Sequence, residues 1–240
     1  MLLREDYLSK IRGFYDSDLI KILVGIRRCG KSVILNQIIE ELKDKRKIDE
    51  KHIIFINFEF IEFEELLNYK KLNKYIKDRI KDNKIYYLFL DEIQNVDNFE
   101  KVVNSLRASI KNISIFLTGS NSKMLSDELS SVLSGRYVLF NINPLSYKEY
   151  VSLTKKDGND LNTFWDYAKW GGLPNRCEFT NEIDIKNYLH SVYDSIILRD
   201  VVKRLNLKDT VLFDMILQYL IETAGREFSA DNIIKYLDKE

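Results

Sequence analysis

The chain has 240 residues, 45% of them hydrophobic, and sets 37 Lys+Arg against 37 Asp+Glu. That is enough apolar mass for one α/β domain and a small second unit. It excludes a dedicated, strongly basic nucleic-acid binder, though not a local basic face. No apolar run is long enough to span a bilayer, and Met1–Tyr7 becomes charged too early for a signal peptide, so a soluble cytoplasmic protein is expected.

Tyr7, Leu8, Ile11, Phe14 and Tyr15 have the spacing of a short amphipathic helix, which either caps a sheet or, given the G-x-x-x-x-G-K-[ST] phosphate-loop pattern that follows at 25–32, walls the adenine ring of a bound nucleotide. A short apolar strand, 18–25, then runs into Gly25-Ile26-Arg27-Arg28-Cys29-Gly30-Lys31-Ser32, which fits the phosphate-binding loop G-x-x-x-x-G-K-[ST]. Gly25 and Gly30 allow backbone angles and close approaches that a Cβ forbids, so the loop amides can turn inward onto phosphate oxygens. Lys31 brings a point charge to the β- and γ-phosphates, and Ser32 a hydroxyl to Mg²⁺. Val33 opens a helix whose Ile34, Leu35, Ile38, Ile39 and Leu42 repeat at helical spacing, which is the context the motif requires. Residues 25–33 are therefore the candidate nucleotide-binding set. The roles of Arg27 and Arg28 stay open between phosphate and a neighbouring subunit, and Cys29 and Cys177 read as free thiols without metal-ligand spacing.

Residues 43–51 form a charged loop, 52–59 a second buried strand, and 61–82 one or two amphipathic helices. Ile85 to Leu90 then run into Asp91 and Glu92, the second nucleotide signature. A carboxylate at the C-terminal end of a buried parallel strand can hold Mg²⁺, here Asp91, and the next can polarise the attacking water, here Glu92. A helix over 98–111 leads to another buried strand, 112–121, ending in small polar residues. Thr118, Ser120 and Asn121 are all candidates to touch the γ-phosphate or orient the water. A helix over 123–134, Gly135-Arg136, and a strand over 137–142 precede Pro144, which closes the α/β unit.

From Leu145 the pattern is helical. Tyr147, Tyr150 and Val151 mark one helix. Asp160 caps another, with Leu161, Phe164, Trp165 and Ala168 expected inside and Gly171 or Gly172 ending it. A turn, Gly171–Pro174, precedes a long helix over 181–205. Helices over 210–223 and 230–239, the latter capped by Ser229, read as the start of a helix-turn-helix or winged-helix unit. With no third helix after them, a truncated unit whose longer form supplies the missing helix and wing is expected.

Taken together, Gly25–Ser32, Leu90–Asn95, Leu117–Leu125, Ser134–Tyr137 and Pro144–Tyr150 resemble the AAA+ ATPases. More closely, the chain is similar to a bacterial and archaeal group of ATP-binding proteins near the STAND switch ATPases. The resemblance implies an α/β fold with a five-stranded parallel sheet over residues 1–143 and a helical lid over 144–205, leaving 206–240 as the incomplete winged-helix start. It also implies that Arg136 stands where the AAA+ arginine finger does. Gly172-Leu173-Pro174 resembles a glycine-x-proline motif whose proline lies against adenine. The competing readings are a surface ion pair for Arg136 and a plain turn for Pro174.

Three functions follow as expectations: an ATPase using ATP and Mg²⁺, a slow nucleotide switch acting through a protein partner, and a nucleic-acid handler. A homo-oligomer fits the arginine-finger position. No [NT]-K-x-D is placed to read guanine, which favours ATP over GTP.

Overall fold

A computed structural model describes residues 2–119, 133, 135–196, 201–202, 207–227 and 229–237. The chain divides into two compact units, Met1–Lys186 and Asn187–Glu240.

The first unit is organised by five short strands: β1 (Ile20–Val24), β2 (Ile53–Asn57), β3 (Tyr86–Asp91), β4 (Ile113–Gly119) and β5 (Tyr137–Asn141). They form one sheet in the order β2-β3-β4-β1-β5, and every pairing is parallel. A parallel sheet needs cover on both faces, which is why β1, β3 and β4 are buried along their whole length. Alternation sorts the side chains between the two faces. Ile20, Ile22 and Val24 join one core cluster, with residues from α3 (Tyr69–Lys77) and α4 (Phe99–Ser109). Leu23, Phe89 and Phe116 join the other, with residues from α1 (Glu5–Arg12) and α2 (Lys31–Asp44). Ile34, Leu35, Ile38 and Leu42 of α2 are fully buried, each contributing about 1.5–3 kcal/mol of burial.

The register brings the strands' C-terminal ends to one edge: Val24 lies beside Gly119 and Asn141, and Asn57 beside Asp91. The expected helices over 61–82 resolve into a 3₁₀ turn, Ile61–Leu67, followed by α3, whose N-cap Asn68 accepts from the Lys70 and Lys71 amides. Of the expected helix over 123–134, only Leu133, buried, lies among the described residues.

Two helices after the sheet also belong to the first unit. In α5 (Tyr147–Thr154), Ser146 and Glu149 form a capping box. In α6 (Leu161–Trp170), the Asp160 side chain accepts from the Thr163 amide, as its capping position requires. The interior assigned to α6 by periodicity is wrong, however. Leu161, Phe164 and Trp165 are 71%, 43% and 64% exposed, Ala168 is exposed too, and it is Thr163 that is buried. Periodicity located the apolar stripe correctly but could not say whether anything covers it.

The expected helix over 181–205 is α-helical as α7 (Glu182–Ser195), and the boundary between the units falls inside it. In the second unit, α8 (Thr210–Glu222) and α9 (Ala230–Leu237) carry no fully buried residue. Tyr219 and Tyr236 meet at 4.9 Å between ring centroids, and the Ser229 hydroxyl accepts from the Asn232 amide.

Candidate functional site

The loop between β1 and α2 wraps tightly over the C-terminal edge of the sheet. A Cβ on Gly25 would meet the Ile142 carbonyl oxygen at 2.1 Å, so only glycine fits beside the end of β5. Arg28 and Gly30 both take positive φ, 63° and 102°, and the loop turns there into the N-terminus of α2. Its amides and the helix end make an anion cradle. Lys31 is buried and donates to the Gly25 and Ile26 carbonyls at 3.1 and 3.2 Å. Cys29 is fully buried, and that burial raises its thiol above the ordinary value. Arg27 lies 3.6 Å from Glu59, while Arg28 is exposed.

Asp91 ends β3 with no exposure at all. One carboxylate oxygen accepts from the Asn57 amide at 3.0 Å and the other from the Thr118 hydroxyl, with a further bond from Ser32. Burial, the dominant cause, still raises the Asp91 carboxyl above the usual carboxylate range. Among the described residues no cation pairs with it. Such a carboxylate, beside a serine hydroxyl, fits an oxygen-seeking divalent ion. Glu92 follows in a left-handed conformation, φ 56° and ψ 44°, with its amide bonded to Thr118 Oγ1 at 2.9 Å. Its carboxylate accepts from the Gln94 amide and lies 3.7 Å from Lys31 Nζ.

Lys31, Ser32, Asp91, Glu92 and Thr118 thus lie together at this edge of the sheet. Thr118 uses its hydroxyl to position both acids. Ser120 and Asn121 lie outside the described residues. Arg136 is exposed and its carbonyl accepts from the Ile20 amide at the start of β1. A five-residue strand of about 17 Å separates it from the loop edge.

Beside Gly30 lies a cavity of about 370 Å³, lined largely by Leu2, Val33, Leu145, Leu153, Pro174 and Cys177. Pro174 and Val33 therefore share one pocket. The N-terminal wall is Leu2 and Arg4, whereas Leu8, Ile11 and Tyr15 are packed in the core and do not line it. The proline turn is held from below by Arg176, which is 2% exposed and donates to the Gly171 and Asp166 carbonyls. Gly172 passes so close to Leu145 that a Cβ would meet its oxygen at 2.0 Å.

Four residues here have no role assigned by the sequence reading: Arg4, Asn57, Arg176 and Gln94, the last although it lies inside the Leu90–Asn95 motif. The Ser146-x-x-Glu149 spacing is the one signal that bears on them, because Glu149 is the partner of Arg4.

A family model described as an AAA domain matches residues 17–151. A protein of Haemophilus influenzae described as uncharacterized is 35% identical over 245 residues, covering all of this chain and 60% of its own length. Protein MJ1544 of Methanocaldococcus jannaschii, likewise described, is 33% identical over 91% of this chain and 50% of its own length. The chain therefore spans little more than half the length of these curated relatives. Among solved structures, the Aeropyrum pernix ORC1 protein in complex with DNA superposes with a TM-score of 0.51 at 13% identity, over 99% of this chain and 77% of that one. At that identity the likeness concerns the fold alone.

Proposed function

Since the chain belongs to the AAA domain family, within the AAA+ P-loop ATPases, we propose that it binds ATP with Mg²⁺ and hydrolyses it to move its helical part. The observation that carries this is the convergence of Lys31, Ser32, Asp91 and Glu92 at one sheet edge, with an apolar cavity beside Gly30. The loop amides of 25–31 receive the phosphate oxygens. Lys31 leaves its two loop carbonyls for the β- and γ-phosphates. Ser32 and Asp91 hold the metal, and Thr118 and Asn57 fix the Asp91 carboxylate for it. Mg²⁺ supplies neutralisation of the charge that develops between the phosphates. Glu92 takes the proton of the attacking water, and Val33, Leu2 and Pro174 enclose the adenine. Arg136, remote from its own loop, completes the site of a neighbouring copy, so the active form is an oligomer.

A slow switch is the second reading, favoured by one observation: the Glu92 carboxylate is held by Gln94 and Lys31. Phosphate release with ATP and Mg²⁺ separates the two. Turnover near one per second that Glu92→Gln abolishes supports the ATPase. Nucleotide bound with turnover orders of magnitude slower, and raised by Gln94→Ala, supports the switch. Phosphate release that is unchanged in Glu92→Gln would defeat both.

A further inference from the structure

Arg4 is a surface-type residue near the start of the chain, yet it is 3% exposed. Its guanidinium reaches three separate parts of the first unit. Nε donates to Glu149 Oε1 at 2.7 Å, Nη1 to the Cys29 carbonyl at 3.1 Å, and Nη2 to the Asn143 carbonyl at 3.0 Å. One side chain therefore joins the phosphate loop, the segment after β5 and α5. The segment carrying it is itself fixed by Gln37 of α2, which accepts from the Arg4 amide at 3.1 Å and donates to the Leu2 carbonyl at 2.7 Å.

Two further facts give this tie a direction. Nη1 lies 3.3 Å from where a Cβ on Gly30 would sit, and Arg4 lines the cavity beside that glycine. A guanidinium has five N–H donors, and the three bonds above leave two. On the far side, the other Glu149 oxygen accepts from the Ser146 amide at 2.9 Å and its hydroxyl at 3.0 Å, which is the cap of α5. The cap of α5 and the cradle at Gly30 thus share one buried cation.

We propose that Arg4 contacts the nucleotide phosphate nearest Gly30 and passes occupancy of the cavity to α5 through Glu149. The proposal rests on the nucleotide reading of the site. A planar, fixed charge suits the task, because it can hold a carboxylate and two carbonyls while still presenting N–H groups to an anion. A lysine keeps the charge but cannot span these partners. Arg4 is here a binding and positioning residue.

The test is ADP affinity by calorimetry together with amide hydrogen exchange of 25–33 and 145–154, on the full chain with and without saturating ADP. In the wild type, ADP should slow exchange in both segments. Arg4→Lys should weaken ADP about ten- to a hundredfold, the loss of a charge-assisted bond. At saturation it should protect 25–33 but not 145–154. Glu149→Gln keeps a side chain able to cap α5, so it folds even where Arg4→Lys does not. It should hold ADP affinity within about threefold while losing the response of 145–154, a split that a purely structural role does not produce. Unchanged affinity and an unchanged response in Arg4→Lys overturn the proposal, as does a wild type that protects 25–33 while 145–154 stays indifferent; both leave nucleotide binding intact. A wild type that binds no ADP removes the nucleotide reading and this proposal together.

Discussion

The two ends of the parallel sheet are both polar and both buried, yet they treat their polar groups in opposite ways. At the N-terminal end the groups satisfy one another. Lys21, fully buried, donates to the Ser17 carbonyl at 3.1 Å and to Ser114 Oγ at 2.8 Å, with its ammonium 4.7 Å from the Phe116 ring. Glu41, where α2 returns to that end, accepts from Arg12, Lys45 and Tyr15. At the C-terminal end Asp91 has hydroxyl and amide donors but no ion pair among the described residues, and Lys31 donates to two backbone carbonyls with only a loose 3.7 Å approach to Glu92. Closed networks fix the segments they join, whether their buried charges add to stability or subtract from it; the open one has unmet capacity for a ligand. Substitutions at the first end should move melting curves, and those at the second should move binding and turnover.

The largest expected effect sharpens that contrast. Lys31→Ala should abolish nucleotide binding by calorimetry while leaving stability within about 1 kcal/mol of wild type. Arg136 is the residue that would break the contrast, since it lies at the stabilising end but is assigned to chemistry. Arg136→Ala should bind ATP normally and lose on the order of 10³-fold in turnover. Mixing it with Lys31→Ala protein should restore activity across one interface. Concentration-independent turnover that ignores Arg136→Ala would return this residue to the surface.

Glu41 tests the closed network with acid. Its hydrogen bond from Arg12, foremost, lowers its carboxyl to about 2. The folded state then holds fewer protons than the unfolded one between that value and the ordinary 4.5. Its stabilisation is complete above 4.5 and lost as pH falls through about 2. Glu41→Gln should cost about 1–3 kcal/mol at pH 7 and flatten the acid limb of the stability curve. Lys21 is expected to act in the opposite sense and with the smallest effect. Burial lowers its ammonium to about 7 from 10.5, so the unfolded state holds more protons between those values and stability rises with pH across the window. Lys21→Met should gain about 1–2 kcal/mol at pH 7 after the lost hydrogen bonds are counted, and the gain should shrink as pH rises toward 10.5. A pH-independent difference would mean that Lys21 does not titrate there.

The C-terminal end of the sheet was largely legible in the sequence because its chemistry is local. Gly25 to Ser32 and Asp91-Glu92 are contiguous, and each sits where one strand ends. Strand existence follows from apolar runs and the family resemblance implies five parallel strands, whereas the order β2-β3-β4-β1-β5 depends on pairings between distant segments and is shown only by the structure. What was missed is non-local. Arg4 finds its partners 25, 139 and 145 residues away, and Asn57 finds Asp91 34 residues on. A lone arginine or asparagine carries no spacing that announces such a partner. The misreading of α6 has a different cause: a stripe such as Leu161, Phe164, Trp165 and Ala168 defines a face, but cover is a property of whatever packs against it.

Glu92 sits in the left-handed region, where a Cβ crowds the following carbonyl at a cost of about 1–2 kcal/mol. Glycine would occupy the same backbone shape without that crowding. Glu92→Gly is therefore a substitution that should raise the melting temperature and silence the protein at once. In a screen scored only on thermal robustness it would be enriched, and the variants that rank highest there would include one that has lost its chemistry.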